Sequence, residues 1–344
     1  MALVIDGFDS LTNDAPLSQQ LPGFVLHGEE NISLVAGRNN KGKALKLTNG
    51  AYLEYYIDGG GLYNRTVNVG CAFRYTKKTD NNVLLYVCNS ASPSISTNHE
   101  TQSLGNSTGI AVLYAKDGFL WAARPGANNQ FKLAKFPENQ YAYIEVRFAW
   151  ENNADSRTPL PKVYMNGQEL TAFSRLDYGH SKKFVSVYIG RGMQDMTMEL
   201  DDLYIESFTS ATNGNVPVLA SGSVSDLALT VESNTFAITG ESVESALSDD
   251  SDATYISSNE PAEVVFNVER NVPQIYGIQM AARGKSETSG VTSFSLVDNA
   301  GNNILAEQNV GFPASLTNYY LSPSTANSTT TDKIKAGAKF KVRT

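Results

Sequence analysis

The sequence predicts an all-β protein made of two β-sandwich domains, and three observations carry this prediction. Short runs of alternating apolar and polar residues recur along the chain, separated by turn clusters such as "TDNN" and "PGANN", which is typical of sandwiches. Tyr (17) and Phe (15) are abundant, and aromatic residues favour strands. The small, polar, Gly/Pro-containing segment 209–222, "TSATNGNVPVLASG", separates two strand-rich blocks and has the composition of a linker. We therefore divide the chain into residues 1–208, 209–222 and 223–344.

The first block carries eight strand-like runs, each bounded by a polar turn. They lie at 44–57, 67–75, 82–88, 109–124, 142–150, 162–167, 184–190 and 198–208. The two cysteines, Cys71 and Cys88, fall on consecutive runs that we expect to pair as a hairpin. Because strand side chains alternate between faces, the two thiols would then point to opposite sides of the sheet. The sequence therefore predicts two free, buried thiols.

The second block carries further runs at 253–258, 262–269, 274–284, 292–308 and 317–322, followed by a C-terminal run. In "DKIKAGAKFKVRT", apolar residues at every second position alternate with basic ones, including Lys335, Lys339 and Lys341. This pattern predicts one strand with an apolar face and a basic face. The basic face has two interpretations: lysines that protect a sheet edge from unwanted pairing, or an assembly surface that docks on an acidic neighbour.

Four segments of the first block follow one another in a characteristic order: "GKALKLTNGAYLEY", "YIEVRFAW", "VYMNGQEL" and "ELDDLYI". Their order resembles the concanavalin A-like, or laminin-G-like, jelly roll, and the resemblance spans most of residues 1–208. It implies that the last of these segments is the closing strand of the sandwich.

The closing strand also bears on catalysis. Glycoside hydrolases of this fold carry a Glu-x-Asp-x-x-Glu strand, and here Glu199 and Asp201 match the first two places while Tyr204 stands at the third. By period-two counting, Glu206 faces away from Glu199 and Asp201, whereas a retaining hydrolase needs two carboxyl groups about 5–5.5 Å apart. We therefore expect the strand to be scaffold, with no catalytic residue, and the protein not to be an enzyme.

The start of the second domain, "ALSDDSDATYISS" followed by "AEVVFNV", resembles a galactose-binding-like (discoidin-type) sandwich. Its turn contains Asp249, Asp250 and Asp252, an oxygen cluster of the kind that Ca²⁺ binds. The alternative is that these side chains bond the backbone of their own turn. We expect no cofactor, with calcium at this turn as the one metal to consider.

Aromatic residues supply the candidates for a sugar-stacking platform. Trp121 and Trp150, with Tyr86, Tyr114 and Tyr143, could present ring faces to a pyranose. The alternative is that these rings belong to the sandwich core, as large aromatic residues commonly do.

The overall charge excludes one class of partner. The net charge is −8, which argues against a protein that tracks nucleic-acid phosphates. No run approaches 18 consecutive apolar residues, so we expect no membrane span. "MALVIDGFDS" lacks the basic start and apolar centre of a secretory signal.

The abrupt start "MALVIDGFDSL" and the succession of two such sandwiches resemble bacteriophage virion proteins. The resemblance implies a non-enzymatic structural protein of the virion, made in the host cytoplasm. It would be a homo-oligomeric decoration or fibre-type appendage on capsid or tail, with other virion proteins and host surface glycans as partners. The alternatives are a bacterial carbohydrate-binding module or adhesin, and a glycan hydrolase or lyase.

Overall fold

The computed structural model describes residues 2–9, 11–13, 15–21, 23–57, 65–76, 82–88, 109–123, 130–150, 159–170, 186–191, 197–209, 224, 227–248, 253–288, 290–321, 324–326 and 328–344. The chain forms two compact units. The larger unit comprises Asp6–Asp9 and Gly23–Val224, and the C-terminal unit comprises Met1–Ile5, Ser10–Pro22 and Ser225–Thr344. The N-terminal segments thus belong to the same unit as the last third of the chain. The predicted linker lies outside the described residues except for Thr209, so the predicted domain division stays a prediction.

The larger unit contains two antiparallel sheets. The first sheet has the strand order β13-β12-β11-β6-β15-β4-β3 and the second has the order β10-β9-β8-β7-β14-β5-β2. The strands of the first sheet are β3 (Ile32–Ala36), β4 (Lys43–Thr48), β6 (Arg65–Thr76), β11 (Ala142–Trp150), β12 (Pro159–Met165), β13 (Gln168–Leu170) and β15 (Thr197–Thr209). Those of the second are β2 (Phe24–His27), β5 (Tyr52–Tyr56), β7 (Asn82–Cys88), β8 (Gly109–Lys116), β9 (Phe119–Ala123), β10 (Gln130–Lys135) and β14 (Ser186–Arg191).

The inner faces of the two sheets form the core of the larger unit. Leu200 on the first sheet and Ile189 on the second are fully buried. The sheets approach closely at Gly190, where an added Cβ would lie 3.1 Å from Leu200 Cδ1. Alternate residues on each strand therefore point either into this core or outward. The prediction of an all-β fold of antiparallel sandwiches is confirmed.

One predicted pairing is wrong. Strand β6 pairs with β11 and β15 in the first sheet, whereas β7 pairs with β14 and β8 in the second. The two cysteine-bearing strands thus form no hairpin, because each finds partners from later parts of the chain that local turn signals do not reveal. Cys71 is a free thiol, as predicted, and burial raises its pKa well above the ordinary range. The side chain of Cys88 lies outside the described ones.

The C-terminal unit is built around a five-stranded sheet with the order β16-β19-β26-β22-β23. Three two-stranded sheets, β17-β18, β20-β25 and β21-β24, accompany it. The strands are β16 (Leu229–Asn234), β17 (Ala237–Thr239), β18 (Tyr255–Ser257), β19 (Glu263–Val268), β20 (Gly277–Ile278), β21 (Ala281–Gly284), β22 (Thr292–Asp298), β23 (Gln308–Val310), β24 (Thr317–Tyr320), β25 (Ser324–Thr325) and β26 (Ala338–Arg343). The helices are α2 (Val243–Ser248) and α3 (Ser328–Ala336).

The N-terminal part of the chain contains strand β1 (Ala2–Asp6) and the short helix α1 (Leu17–Gln20). The backbone N–H of Ile5 donates to Gln279 Oε1 at 2.8 Å. Gln20 is fully buried, and its Nε2 donates to the carbonyls of Thr12 (2.8 Å) and Ala15 (2.7 Å). The Ile5 bond ties β1 to the later part of the C-terminal unit, whereas the Gln20 bonds hold the segment around α1 in its own conformation.

The predicted strand over the C-terminal run is wrong in its first half. Residues Ser328–Ala336 form helix α3, whose Ile334 is fully buried. The helix ends at Gly337, which has a φ of 119° and donates its N–H to the Ile334 carbonyl, a common way for a helix to stop. Only the second half is a strand, β26, and it is central rather than at an edge. The edge-protection interpretation of its lysines is therefore also wrong.

Among the described residues, no helix is long and apolar enough to cross a membrane.

Candidate functional site

The acidic residues of β15 are distributed over the two faces of the strand differently from what the sequence predicts. Glu199 pairs with Arg74 and Asp201 with Ala72, but Tyr204 already pairs with Gly70, so β15 contains a bulge between Asp201 and Tyr204. Asp202, in this bulge, has a φ of 50°. A bulge adds one residue and reverses the alternation beyond it. Glu206 therefore shares the outward face with Glu199 and Asp201, and the prediction that it faces away is wrong.

The carboxylate of Glu199 accepts hydrogen bonds from two protein side chains. Its Oε2 accepts hydrogen bonds from Arg74 Nη1 and Tyr141 OH, both at 2.9 Å. The Arg74 guanidinium also lies 6.0 Å from the centre of the Tyr141 ring. Burial, followed by the charge of Glu199, raises the pKa of the Tyr141 hydroxyl. This arrangement links strands β6 and β15 to the residue that precedes β11.

The adjacent carboxylates of Asp201 and Asp202 hold the bulge. Asp201 accepts hydrogen bonds from the backbone N–H groups of Arg38 (2.6 Å) and Asp202 (2.7 Å). Asp202 forms an ion pair with Arg38 Nη2 at 2.7 Å and accepts from the N–H of Val224 at 2.6 Å. Burial raises the pKa of Asp201 to about 7 even though these backbone donors oppose the shift. Both side chains thus have structural partners.

Glu206 completes the outward acidic face. Burial raises its pKa to about 7, and the nearby charge of Glu145 adds to the shift. Tyr204 lies between Asp201 and Glu206 on this face, and its ring stacks on that of Tyr143 at 6.5 Å between centroids. This part of the outer face of the first sheet therefore carries acidic side chains and aromatic rings, and most of them are buried.

A second outward face, on the second sheet, carries an aromatic stripe. Each of six neighbouring strands contributes one ring to it. In sheet order these are His27 (β2), Tyr52 (β5), Tyr188 (β14), Tyr86 (β7), Tyr114 (β8) and Trp121 (β9). The strand registers place three pairs of these rings directly opposite each other: His27 with Tyr52, Tyr188 with Tyr86, and Tyr114 with Trp121.

Four of the five neighbouring pairs of rings in the aromatic stripe are in contact. The His27 and Tyr52 rings stack at 4.2 Å with an angle of 10°, and Tyr52 lies 5.6 Å from Tyr188. Tyr188 meets Tyr86 edge-on at 6.0 Å. Three of the four tyrosines (Tyr188, Tyr86 and Tyr114) are at most 5% exposed, whereas Tyr52 and Trp121 are partly exposed. The centre of the stripe is therefore packed, and its two ends are accessible.

One end of the stripe contains a buried carboxylate. Glu54 is paired with Tyr188 and with Val25 and lies on the same outward face. Its side chain is 2% exposed, and its Oε2 lies 2.9 Å from Nε2 of His27, which is 36% exposed. Its Oε1 has no hydrogen-bond partner among the described residues.

The other end of the stripe combines aromatic rings with an ammonium group. Tyr114 and Trp121 are nearly parallel, at 6.3 Å and 14°. The hydroxyl of Tyr114 is buried without a partner among the described residues, and burial raises its pKa to about 12. Lys132 Nζ lies 3.2 Å from the centre of the Phe119 ring and 5.9 Å from that of Trp121.

The structure brings together only some of the residues that the sequence singled out. Tyr86, Tyr114 and Trp121 lie in the aromatic stripe, whereas Tyr143 lies on the first sheet. The side chain of Trp150 lies outside the described ones. Asp249, Asp250 and Asp252 lie outside the described residues, and within the described part of the chain no acid, His or Cys cluster could hold a metal.

The three lysines of the predicted assembly surface do not share one strand face. Lys335 lies on helix α3, and Lys339 and Lys341 lie on β26. Lys339 Nζ is 2.6 Å from Glu232 Oε1, and neighbouring Arg343 pairs with Glu263. The outer face of β26 is thus basic, as predicted, but part of its charge is neutralised within the unit.

Sequence reasoning missed four residues of this region: His27, Tyr52, Glu54 and Tyr188. They lie on three strands that are distant in sequence. The signal within the sequence was the alternation "YLEYY" (52–56), which places Tyr52, Glu54 and Tyr56 on one face.

No protein-family profile and no curated relative matches the chain. Among solved structures, domain 4 of AbnA, an extracellular arabinanase of Geobacillus stearothermophilus in complex with arabinotriose, is 16% identical, with a TM-score of 0.38, over 61% of this chain and 95% of that one. A carbohydrate esterase of the Shiga toxin-encoding bacteriophage phi24B is 19% identical, with a TM-score of 0.38, over 60% and 100%. The metal-free carbohydrate recognition domain of Emp46p is 9% identical, with a TM-score of 0.38, over 59% and 94%. At TM-scores below 0.5 these likenesses carry no functional argument.

Proposed function

We propose that the chain is a non-enzymatic, glycan-binding protein of a bacteriophage particle. The observation that carries glycan binding is the aromatic stripe, with a buried carboxylate oxygen at one end and a buried tyrosine hydroxyl at the other, both without a partner among the described residues. Small-molecule sites commonly combine an apolar, aromatic lining with a few well-placed polar groups.

The chemistry of a sugar fits this arrangement. A pyranose ring presents C–H groups on its faces and hydroxyl groups at its edge, so it can lie on an aromatic ring while its hydroxyls bond polar atoms beside that ring. Trp121 supplies such a ring next to the ring of Tyr114, and Tyr52 supplies one two residues from Glu54 on the same face. Six strands about 4.8 Å apart span about 24 Å, which exceeds the size of a single sugar. The stripe therefore suits an oligosaccharide that contacts both ends.

The bonding of the acidic strand supports a non-enzymatic role. A catalytic carboxylate must be free to reach substrate, but Glu199 binds Arg74 and Tyr141, and Asp201 binds two backbone N–H groups. The Glu199 contacts link neighbouring strands, and the Asp201 contacts hold the bulge in place.

A glycan hydrolase is the second candidate. The bulge favours it, because Glu199, Asp201 and Glu206 share one outward face. It ranks second because two of these three carboxylates are already bonded to protein groups.

The virion assignment is supported by the sequence alone, through the order of its two sandwich-like blocks and its resemblance to phage structural proteins. On this proposal the protein is an appendage on capsid or tail that presents the aromatic stripe to host surface glycans. Antibody labelling of purified particles, seen by negative-stain microscopy, tests it. Particles without label would contradict the virion role.

A glycan array tests the binding role. We expect wild-type protein to bind a subset of bacterial surface oligosaccharides, and Trp121→Ala to weaken that binding at least about fivefold, because an aromatic contact contributes about 1 kcal/mol or more. The matched control is Tyr255→Ala, which removes a 49% exposed aromatic residue from the C-terminal unit and should leave binding unchanged.

Two results would overturn the proposal. Equal binding by Trp121→Ala and wild type would remove the stripe as the site. Release of reducing ends from a bound glycan, lost in Glu199→Gln, would establish the hydrolase instead.

A further inference from the structure

Glu54 is a buried carboxylate with one oxygen left to accept a ligand hydrogen bond. Its Oε2 is occupied by His27 at 2.9 Å, whereas Oε1 has no partner among the described residues. A buried acceptor without a donor is costly to the fold. Such a cost persists at functional sites, where a ligand supplies the missing partner.

The surroundings of Glu54 are apolar and partly accessible. Val25, its register partner on β2, is 41% exposed, and Tyr56, two residues along the same face, is 38% exposed. The stacked rings of Tyr52 and His27 adjoin it. Oε1 itself is buried beneath these side chains, so a sugar hydroxyl reaches it when a sugar ring that rests on them displaces one of them.

We infer that the Glu54 end of the aromatic stripe binds a hydroxyl group of an uncharged pyranose and excludes sugars that carry a carboxylate, sulfate or phosphate. Among the described residues, His27 is the one basic side chain that contacts Glu54. A second anion placed beside this buried carboxylate would meet strong repulsion, because burial lowers the effective dielectric constant. A neutral hydroxyl instead donates a charge-assisted hydrogen bond, which is stronger than a neutral one. This inference rests on glycan binding by the stripe and narrows its ligand class.

The test compares neutral sugars with their acidic counterparts on the whole protein. The probes are the methyl glycosides of glucose, galactose and mannose and the methyl glycosides of the corresponding uronic acids, titrated by saturation-transfer NMR. We expect at least one neutral glycoside to bind at least about tenfold more tightly than its uronic acid. Glu54→Gln should weaken neutral binding about tenfold and reduce the discrimination, because the amide carries no charge. Glu169→Gln, which changes a 45% exposed carboxylate on the first sheet, is the matched control and should alter neither.

The outcomes separate this inference from the proposed function. Uronic acids that bind as tightly as neutral sugars, with oligosaccharide binding on the array still weakened in Trp121→Ala, would overturn the inference and leave the proposed function standing. Unchanged discrimination in a folded Glu54→Gln would remove Glu54 from the site. Failure of both sugar classes to bind would overturn the inference, and the glycan array alone would then decide the proposed function. The wild-type comparison decides the ligand class even where Glu54→Gln does not fold.

Discussion

Glu206 is a partly buried carboxyl group whose pKa is raised to about 7, first by burial and then by the charge of Glu145. In the unfolded chain a glutamate ionises near pH 4.3. Between these values the folded state holds more protons than the unfolded state, so this group's contribution to stability falls as pH rises. That contribution is fully present below the unfolded pKa and is lost as pH approaches 7.

Replacing Glu206 with Gln should therefore change stability in a pH-dependent manner. We expect Glu206→Gln to gain about 1–3 kcal/mol relative to wild type between pH 4.5 and pH 7.5, since the amide cannot ionise. Urea unfolding of both proteins at the two pH values measures the difference. A difference that stays constant across this range would show that Glu206 ionises in the folded protein as it does in the unfolded chain.

Gly70 is the residue that lets two tyrosines stack on the outward face of the first sheet. An added Cβ would overlap the Tyr204 ring and lie 2.7 Å from the Tyr143 hydroxyl oxygen. Both rings are buried and cannot easily move. We expect Gly70→Ala to destabilise the protein by about 2–4 kcal/mol.

The control for this substitution is Gly311→Ala, because an added Cβ there meets nothing within 4 Å. Its effect on the free energy of unfolding should stay within about 0.5 kcal/mol. Chemical denaturation of both variants measures the contrast. Equal stability of Gly70→Ala and Gly311→Ala would mean that the rings of Tyr143 and Tyr204 can move to make room for the added methyl group.

At the scale of elements, strand β26 combines a core face with a basic face. Phe340 packs between Phe266 and Phe294, at 6.1 and 6.3 Å between ring centres, while Lys339 and Lys341 point the other way. Since β26 is central, its lysines do not protect an edge. The docking interpretation of Lys335, Lys339 and Lys341 therefore stays a prediction.

The triple variant Lys335→Gln, Lys339→Gln, Lys341→Gln tests docking. We expect lower occupancy on purified particles and a steep dependence of attachment on salt, because exposed charges are screened within about 8 Å at physiological ionic strength. The melting temperature should fall little, because the partly exposed Lys339–Glu232 pair contributes at most about 1 kcal/mol.

The matched control changes three lysines of the larger unit, Lys41, Lys46 and Lys135, to Gln and alters the net charge equally. Full occupancy of the first triple variant at every salt concentration would contradict docking through this surface. Equal loss in both variants would assign the effect to net charge alone.

The elements also show where sequence reasoning succeeds. The segment "VYMNG" contains the local signal for the hairpin β12–β13, because Asn166 and Gly167, with φ values of 49° and 82°, form its turn. Asn-Gly supplies both positive φ values locally. The β15 bulge could not be predicted in this way, because Arg38, its main partner, lies more than 160 residues earlier in the chain. Counting alternate residues along a strand assigns the wrong face to every residue beyond such a bulge.

The C-terminal run illustrates a second limit. Alternation of apolar and basic residues from 333 to 343 satisfies a strand pattern, yet Gly337 divides the run into a helix and a strand. Ile334 and Thr331, three residues apart, are both buried on the helix. Tertiary burial thus overrode a local pattern that favoured a strand.

At the scale of the whole molecule, the C-terminal unit draws its residues from both ends of the chain. Proteolysis within the predicted linker, 209–222, would leave Met1–Ile5 and Ser10–Pro22 on one fragment and the rest of that unit on the other. We therefore expect the two fragments to co-elute in size-exclusion chromatography under native conditions and to separate in denaturant. Separation under native conditions would mean that the C-terminal unit does not need its N-terminal segments.

The aromatic stripe likewise becomes visible only at the scale of a whole sheet. Its six rings come from strands scattered between His27 and Tyr188, and only the sheet order places them side by side. The sequence identified Tyr86, Tyr114 and Trp121 as stacking candidates, but not their common face.

The most direct test of glycan binding by the aromatic stripe is tryptophan fluorescence. The chain has only two tryptophans, so the emission of each can be observed separately. In Trp150→Phe the emission comes from Trp121 alone, and titration with a glycan selected on the array should shift or quench it with the same midpoint as in wild type. In Trp121→Phe, where Trp150 alone emits, the response should disappear. A saturable response that persists in Trp121→Phe and is lost in Trp150→Phe would contradict binding at the stripe.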